Sequence, residues 1–379
     1  MVIGKIIQAR RMLTGQMKAR NAFSDWPRFV PPGPRKALAA CVLLLLGTLQ
    51  GCYYVQATRG QMELWRKQQP VQEVIGDPAT EASLAARLQL LQEARDFASD
   101  TLLLPDNDSY RKYADLERDY VLWNVIAAPE FSLQPKTWCY LLVGCLGYRG
   151  YFSADSARKL AKELEASGYD VFVGGVPAYS TLGKFDDPLL STMMGRGSTD
   201  LVALLFHELA HQQMYIRDDT AFNESFASAV AEFGVRRWHE ERGSSQSAQR
   251  WLDHEALNMR VMELFDRARK RLQDVYGASL TDEQKREQKR TILDQLSADA
   301  NALQGDEAGW IRGSLNNARL AAFAMYRDYL PAFRTMFAAC AEDWSCFYAD
   351  VDKLAKLSPK ARRAALLALL PSSPVAPPG

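Results

Sequence analysis

The feature that most constrains the fold is an apolar segment, residues 201–213, that carries two histidines and a glutamate. His207, Glu208 and His211 follow the pattern H-E-x-x-H. In an α-helix, residues four positions apart lie on the same face, so both imidazoles can reach one metal ion while Glu208 lies beside them. This pattern is typical of zinc hydrolases, in which the glutamate activates a water molecule. We therefore expect a buried zinc-binding helix here.

The third metal ligand is expected on a second helix, which the short polar segment 217–220 separates from the first. A connection this short favours two antiparallel helices. His211 and Glu224 are about equally far from the hinge, so they should lie level with each other. A catalytic zinc usually has three protein ligands and leaves the fourth position to water, which makes Glu224 the best candidate. Glu232 lies roughly 12 Å further along the axis, too far to bind the metal but able to orient a ligand.

The H-E-x-x-H pattern also occurs by chance on ordinary helices, where its residues are solvated. Three observations favour a metal site. The sequence has only four histidines, of which two are in the pattern, the preceding residues are apolar, and an acidic residue follows at a usable distance. Burying such polar groups without a partner is costly. The alternative to an enzyme is a non-catalytic envelope protein in which zinc or salt bridges hold the two helices together.

The two helices and several other segments resemble a known family. HELAHQQMY followed by FNESFASAVAEFG resembles the gluzincin metallopeptidases, and more closely the bacterial zinc aminopeptidases, which are membrane-anchored lipoproteins. The resemblance covers most of the chain after residue 50. It includes GCYYVQATRGQ at 51–61, LGYRGYF at 146–152, AYSTLGKFDDPLLSTM at 178–193 and LNNARLA at 315–321.

The resemblance implies an activity and a set of residues. His207, His211 and Glu224 would bind one zinc ion per chain, and Glu208 would be the catalytic base acting on a peptide substrate. It also implies a gluzincin-like unit in which a strand edge upstream of the zinc helix binds the substrate backbone, here residues 178–183. The alternative enzyme is an endopeptidase or a quality-control protease of the cell envelope.

Several residues are candidates for contacting the substrate or the transition state, and spacing does not choose among them: Tyr179, Tyr215, Arg319 and Tyr326. An aminopeptidase also needs an acidic group to hold the free amine of its substrate. The candidates are Glu130, Asp186 and Asp187, of which the last two are equally suited to capping a turn. His239 and His254 fall outside any ligand spacing, so we expect them on the surface.

The amino-terminal region predicts export. Residues 37–49 are apolar, follow two basic residues and precede Cys52. About a dozen apolar residues are too few to cross a ~30 Å hydrocarbon core but suit the central part of a signal peptide. The residues before Cys52 resemble a lipobox apart from Gln50, so we expect a bacterial lipoprotein anchored through Cys52 and facing the periplasm or the exterior. The alternative is a retained anchor helix, and residues 1–36 are a basic leader or an over-extended gene start.

Four further cysteines support an exported protein. They form two close pairs, Cys139 with Cys145 and Cys340 with Cys346. In an exported chain such pairs indicate disulfides, and the alternative is four free buried thiols. The C-x-x-C spacing of a zinc ribbon is absent.

The length allows one large domain or two small ones, and the periodicity predicts a predominantly α-helical α+β fold. The resemblance implies one gluzincin-like domain over residues 53–370, with a small sheet beside the zinc helix. The chain has 379 residues, of which 47% are hydrophobic and 24% charged, and its net charge of +1 argues against a nucleic-acid partner.

Thr199 is the expected cap of the zinc helix. Residues 371–379 are the expected disordered tail. The predicted strands include 120–127 and 169–173, and the predicted helices include 82–104, 153–167, 251–276, 281–303 and 316–340.

Overall fold

The computed structural model describes residues 56–370, except for residues 57, 141–143, 179–180, 182–184, 305–314 and 324–328. The predicted leader, Cys52 and the predicted tail lie outside these residues. The described part is mainly helical with small sheets, which confirms the predominantly α-helical α+β fold. Within the described ranges, no helix is long and apolar enough to cross a membrane.

The described strands all lie before residue 191, together with four helices, and only helices are described after it. The strands are β1 (Gln68–Pro70), β2 (Lys112–Ala114), β3 (Leu122–Pro129), β4 (Trp138–Tyr140), β5 (Gly144–Leu146), β6 (Arg149–Tyr151), β7 (Tyr169–Val176) and β8 (Leu189–Leu190). The helices are α1 (58–66), α2 (Val71–Gly76), α3 (Ala82–Asp100), α4 (Ala154–Ala166), α5 (Ser198–Gln213), α6 (Thr220–Glu241), α7 (Ser245–Gly277), α8 (Asp282–Gln304), α9 (Asn317–Phe323), α10 (Leu330–Ala339), α11 (Trp344–Ala355) and α12 (Pro359–Ala368).

One antiparallel sheet, in the order β6-β3-β7, carries a layer of helix on each face. Side chains alternate between the two faces of a strand. Val125 of β3 therefore packs in one cluster with Ala157 of α4, whereas the next residue, Ile126, packs in another with Ala318 of α9. The other described strands form a second sheet, β1-β2-β8, and the hairpin β4-β5.

The largest hydrophobic core surrounds the helix pair α5 and α6. Leu201, Leu205 and Phe206 of α5 are fully buried, which explains why this helix is apolar on most sides. Gly234 lets α6 approach its neighbours closely, because a Cβ there would lie only 2.7 Å from Leu102 Cδ1 and 2.7 Å from Phe206 Cδ2. Burial of this pair fixes the helices that carry the candidate metal ligands.

The helices α7 and α8 pack against each other in a separate cluster, as the periodicity predicts. Val261, Phe265 and Leu272 of α7 contact Ile292 and Leu296 of α8 in this cluster. The short connection between the two helices favours an antiparallel arrangement. Their contact turns the apolar stripe of each helix inward and leaves the charged faces to solvent.

Hydrogen bonds of Asn317 connect α9 to the sheet and to α7. Its side-chain amide donates hydrogen bonds to the carbonyl oxygens of Pro129 and Glu130, at 3.1 and 2.9 Å. Its side-chain oxygen accepts a hydrogen bond of 2.8 Å from the hydroxyl of Tyr276, and its backbone N–H donates to Asp170 at 2.8 Å. The side chain is fully buried, so these bonds replace the water that an amide would otherwise bind.

Both expected disulfides are present. Cys139–Cys145 joins two directly paired residues of the β4-β5 hairpin. Cys340–Cys346 joins the residue that follows α10 to the first turn of α11. The alternative of four free thiols is therefore not supported by the structure.

Some element boundaries differ from the sequence expectations. The strand expected at 120–127 is β3, shifted toward the carboxyl end, and two short strands precede it. The helix expected over 82–104 ends at Asp100, because Leu103 has a φ of 54° that an α-helix cannot contain. The helix expected over 316–340 is described as two elements, α9 and α10.

Two side-chain expectations near α5 are wrong. Gly197, not Thr199, precedes the first residue of α5, and Thr199 lies inside the helix with its hydroxyl 3.1 Å from Nε2 of His239. His239 is buried rather than on the surface, and its Nδ1 lies 2.7 Å from Oγ of Ser244. A histidine with both ring nitrogens satisfied in this way is part of the helix packing.

Candidate active site

The predicted ligands converge where α5 and α6 pack together. His207 and His211 lie one turn apart on α5, with ring centroids separated by 4.8 Å and ring planes at 87°. Oε2 of Glu224, in the second turn of α6, lies 3.3 Å from Nε2 of His207 and 3.7 Å from Nε2 of His211. The three candidate ligand atoms all lie within 4.8 Å of one another.

These three side chains are largely shielded from solvent. The His211 side chain is 8% exposed, and those of His207 and Glu224 are 21% and 20% exposed. Nδ1 of His211 is buried and has no hydrogen-bond partner among the described residues. Two imidazole nitrogens and one carboxylate oxygen are the donor set of many catalytic zinc sites, so the residues present fit this metal.

The charges of the three groups are strongly coupled. Burial disfavours the ionised form of Glu224, but hydrogen bonding to His207 and His211 and their charges outweigh it, so the pKa of the carboxyl lies well below its usual range. Burial lowers the pKa of His211, whereas the hydrogen bond to Glu224 and the charges of Glu224 and Glu208 raise it, and the net direction is upward. Glu224 is therefore an anionic group facing two imidazoles.

Glu208 directly follows His207 on α5 and is partly exposed. It lies close enough to His211 for its charge to favour the protonated imidazole and so to raise the pKa of His211. A carboxylate in this place can accept a proton from a water molecule held between the histidines and the solvent-facing side of the site. The structure thus brings all four motif residues of the sequence analysis together.

The loop between α5 and α6 has its own hydrogen bonds. The side-chain oxygen of Asn223 accepts a hydrogen bond from the backbone N–H of Ile216, and its amide donates to the carbonyl of Ile216, both at 2.7 Å. Asp219 caps α6 by accepting a hydrogen bond from the N–H of Phe222. Arg362 of α12 donates a hydrogen bond to the other carboxylate oxygen of Asp219 at 2.8 Å. These contacts fix the position of Glu224 relative to the histidines.

A cleft of about 550 Å³ adjoins the site, and His207 forms part of its wall. It lies between the sheet and the helices α6, α7 and α9. The residues around it are Asn124, Ile126, Tyr148, Phe172, Gly174, Gly175, Val176, His207, Ser228, His254, Asn258, Met262, Ala322 and Phe323. Its size is within the range of ligand-binding pockets, and its lining is mainly apolar with a few polar groups, which is typical of such sites.

Tyr215 is the described tyrosine among the candidates for contacting the transition state. Its ring centroid lies 6.5 Å from that of His211. Burial, and then the charges of Tyr148, Glu224 and Asp218, raise the pKa of the Tyr215 phenol above its ordinary value. The hydroxyl is therefore protonated at neutral pH and can donate a hydrogen bond.

Arg319 contacts the wall of the cleft. Its guanidinium lies 5.5 Å from the ring centre of Phe172 and 6.0 Å from that of Phe323, and both rings line the cleft. Arg319 is 4% exposed, and burial lowers its pKa. Tyr179 and Tyr326 lie outside the described residues, as does most of the segment 178–183 that is the expected substrate edge.

The carboxylates considered for holding a substrate amine have different surroundings. Asp187 is buried and accepts a hydrogen bond from the backbone N–H of Thr181, so it stabilises a turn. Glu130 is paired with Arg286 at 2.7 Å, whereas Asp186 is exposed. Glu232, considered for orienting a ligand, instead pairs with Arg334 of α10 at 2.6 Å.

The sequence analysis missed the residues that α7 contributes. His254, Asn258 and Met262 follow one another at intervals of four and all line the cleft. Their four-residue spacing places them on one helical face, and this spacing was the sequence signal from which a shared surface could have been predicted. His254 is on the surface, as expected, with a side chain that is 57% exposed, and it also borders the cleft that His207 lines.

Three possible metal ligands beside a cleft are an arrangement that a hydrolase can use. Comparison with protein families agrees, since residues 52–366 match the family described as "Putative aminopeptidase". The match covers most of the chain, so the chain belongs to this family. No match was found among curated proteins or among solved structures.

Proposed function

We propose that the protein is a zinc-dependent aminopeptidase. The observation that carries the proposal is the convergence of His207, His211 and Glu224, whose candidate ligand atoms lie within 4.8 Å of one another beside a cleft. A structural zinc site would need a fourth protein ligand, and the described residues add no further histidine, cysteine or carboxylate to this group. The alternative of a zinc-stapled, non-catalytic protein is therefore less well supported.

The three ligands would hold one zinc ion per chain. Zinc, when bound there, would supply Lewis acidity, which polarises a carbonyl group and lowers the pKa of a bound water molecule to about 7. The anionic Glu224 offsets part of the positive charge of the ion. The imidazoles of His207 and His211 would supply the two nitrogen donors.

The remaining chemistry belongs to the side chains around the metal. A carboxylate oxygen of Glu208 accepts a proton as the water oxygen attacks the carbonyl carbon of the scissile peptide bond. The same carboxyl delivers that proton to the leaving nitrogen as the C–N bond breaks. The protonated hydroxyl of Tyr215 is the donor that we assign to the oxyanion that develops on the carbonyl oxygen.

An extended substrate has a place to pair along β7. In the order β6-β3-β7 this strand is at the edge of its sheet, and Gly174, Gly175 and Val176 line the cleft. The backbone groups of an edge strand can form hydrogen bonds with an added peptide strand. We therefore propose that β7, which directly precedes the segment 178–183, forms part of the substrate-binding edge.

A second candidate is an endopeptidase. An aminopeptidase needs a carboxylate to hold the free amine, but among the described residues that line the cleft there is no aspartate or glutamate. This observation favours cleavage within a chain, whereas the family match favours removal of the first residue. The assay described below separates the two.

The proposed location is the cell envelope, with Cys52 as the lipid-bearing first residue. The two disulfides support this proposal because such bonds persist in oxidising compartments and are rare in the cytosol. A lipid anchor at Cys52 would place the domain at the membrane surface. No partner other than the membrane and a peptide substrate is proposed.

The test compares amino-acid amides with internally quenched peptides whose amino termini are blocked. Purified protein is measured as isolated, after removal of metal by a chelator, and after addition of zinc. We expect hydrolysis of the amides, its loss on chelation and its recovery with zinc. Cleavage of the blocked peptides alone would establish an endopeptidase, and no zinc-dependent cleavage of either substrate would refute the proposal.

A further inference from the structure

We propose that the apolar part of the cleft is the specificity pocket and that it takes a bulky apolar side chain, such as leucine or phenylalanine, next to the cleaved bond. This inference rests on the proposed peptidase function and adds the substrate class. It also identifies Met262 as a residue that determines specificity.

The floor of the pocket comes from two neighbouring cross-strand pairs. Ile126 of β3 lies opposite Phe172 of β7, and Asn124 lies opposite Gly174. All four line the cleft, since residues two positions apart share a face of the sheet. A Cβ at Gly174 would lie 3.0 Å from Cε1 of Phe172, so the ring of Phe172 extends across the glycine. Near Ile126, the floor of the pocket is therefore formed by the aliphatic side chain of Ile126 and the aromatic ring of Phe172.

The walls at this end come from α9 and α7. Ala322 packs with Ile126 in one cluster, and the ring of Phe323 lies 6.5 Å from that of Phe172. Phe323 is held in turn by Phe265 of α7, whose ring lies 5.0 Å away. Met262 lies one turn before Phe265 and lines the cleft. Three separate elements thus enclose the same apolar space.

The lining of the cleft disfavours charged side chains of substrates. Among the described residues around the cleft there is no aspartate, glutamate, lysine or arginine. Apart from the imidazoles of His207 and His254, the described lining therefore offers a charged substrate side chain no ion-pair partner to replace its water, so burying such a side chain is costly. An apolar side chain gains free energy by leaving water in proportion to its area.

The size and position of the cleft link this pocket to the reaction. Its volume of about 550 Å³ accommodates a large side chain together with adjoining backbone. His207, a candidate zinc ligand, lines the same cleft. A residue whose side chain enters the pocket therefore places one of its own peptide bonds close to the metal site.

Met262 is the best residue to mutate, because Leu264 on the same helix provides a matched control. Met262 and Leu264 are both partly buried and both pack against the cluster between α7 and α8. Only Met262 is among the residues that line the cleft. Leu264→Ala therefore reports the effect of weakened helix packing without a change in the pocket.

The experiment measures kcat/KM for amino-acid amides and for quenched peptides in which one residue varies among leucine, phenylalanine, alanine, aspartate and lysine. We expect leucine and phenylalanine to exceed alanine and aspartate by about 10- to 100-fold. Met262→Ala should shift the preference from leucine toward phenylalanine, and Met262→Lys should raise the aspartate-to-leucine ratio by about 10-fold or more. Leu264→Ala should leave these ratios unchanged.

Binding separates a failure of this inference from a failure of the proposed function. Affinities of Phe-Ala-Ala and Asp-Ala-Ala for the zinc-loaded full chain are measured by calorimetry. Tighter binding of Phe-Ala-Ala, weakened by Met262→Lys, without hydrolysis of any substrate would support the pocket and refute the peptidase. Hydrolysis without preference for apolar residues, or preferences that Met262 variants do not change, would overturn the inference.

Discussion

The guanidinium of Arg362, on the last described helix, lies 2.8 Å from the carboxylate of Asp219, which caps the helix that carries Glu224. Arg362 also donates hydrogen bonds to the carbonyl oxygens of Ala355 and Leu357. Its side chain is 4% exposed and that of Asp219 is 24% exposed. The carboxy-terminal helix thereby reaches the hinge of the candidate site.

We expect Arg362→Met to lower the free energy of unfolding by about 2 kcal/mol. This value is below the ~3–5 kcal/mol for breaking a buried pair because Asp219 remains partly hydrated. Denaturant unfolding of metal-free protein measures the change. Arg363 is exposed on the same helix, so Arg363→Met is the control and should change stability by less than about 0.5 kcal/mol. Equal effects of the two variants would contradict a role for the contact with Asp219.

Removal of the carboxylate of Glu224 should release the metal. We expect wild-type protein to retain close to one zinc per chain after dialysis and Glu224→Ala to lose most of it, because two histidines alone bind zinc far more weakly than three ligands. Elemental analysis gives the zinc content. Glu232→Ala, which removes a carboxylate two turns away on the same helix, should keep its zinc, and the opposite pattern would show that the ligand assignment is wrong.

Replacement of Glu208 should separate metal binding from catalysis. In Glu208→Gln the side chain keeps its shape but its amide cannot accept a proton, so we expect zinc content to be unchanged and kcat to fall by at least about 100-fold. Zinc analysis and peptide hydrolysis on the same sample test this. Loss of zinc from the variant would instead assign Glu208 a structural role.

Asn317 should be among the most sensitive positions outside the site. Asn317→Ala removes three side-chain hydrogen bonds, two to the carbonyl oxygens of Pro129 and Glu130 and one from the hydroxyl of Tyr276, so we expect a loss of about 3 kcal/mol in the free energy of unfolding. Asn301 is exposed on α8, and Asn301→Ala should be nearly neutral. A neutral Asn317→Ala would mean that water replaces the lost donor.

Export and lipidation can be tested together by mass spectrometry. The native protein should begin at Cys52 with attached lipid, and Cys52→Ser should leave the signal segment uncleaved or release the protein from the membrane. Non-reducing peptide maps should find Cys139 linked to Cys145 and Cys340 linked to Cys346. A cytoplasmic protein with intact Met1 and four reduced thiols would disprove export.

The geometry of the ligand group was predictable because it depends on local rules. Four-residue spacing places His207 and His211 on one face, and equal distances from the hinge bring Glu224 level with them. Local sequence signals also explain why both ends of α4 were predicted to within one residue. Ser153 caps its first turn, and Gly168 adopts the left-handed conformation just beyond its end.

The cleft was not predictable from such rules. Asn124, Phe172, Met262 and Phe323 are distant in sequence and meet only because the sheet, α7 and α9 pack together. No short-range pattern encodes this packing, and His254 has the sequence context of any polar helix position. The short strands β1 and β2 were missed for a related reason, since three residues each are too few to show alternation.

The paired hydrogen bonds between Asn223 and Ile216 have a consequence for how the hinge can change length. The side-chain amide of Asn223 forms hydrogen bonds with both the N–H and the carbonyl of Ile216, as a neighbouring strand would. These bonds fix the two ends of the loop that runs from Ile216 to Asn223. Residues inserted after Ile216 would bulge into solvent at a small entropic cost. An insertion between His211 and Gln213, inside α5, would instead shift and rotate Ile216 relative to His211 and so displace Glu224 from the imidazoles. The two sides of one short turn therefore differ in their tolerance to insertion.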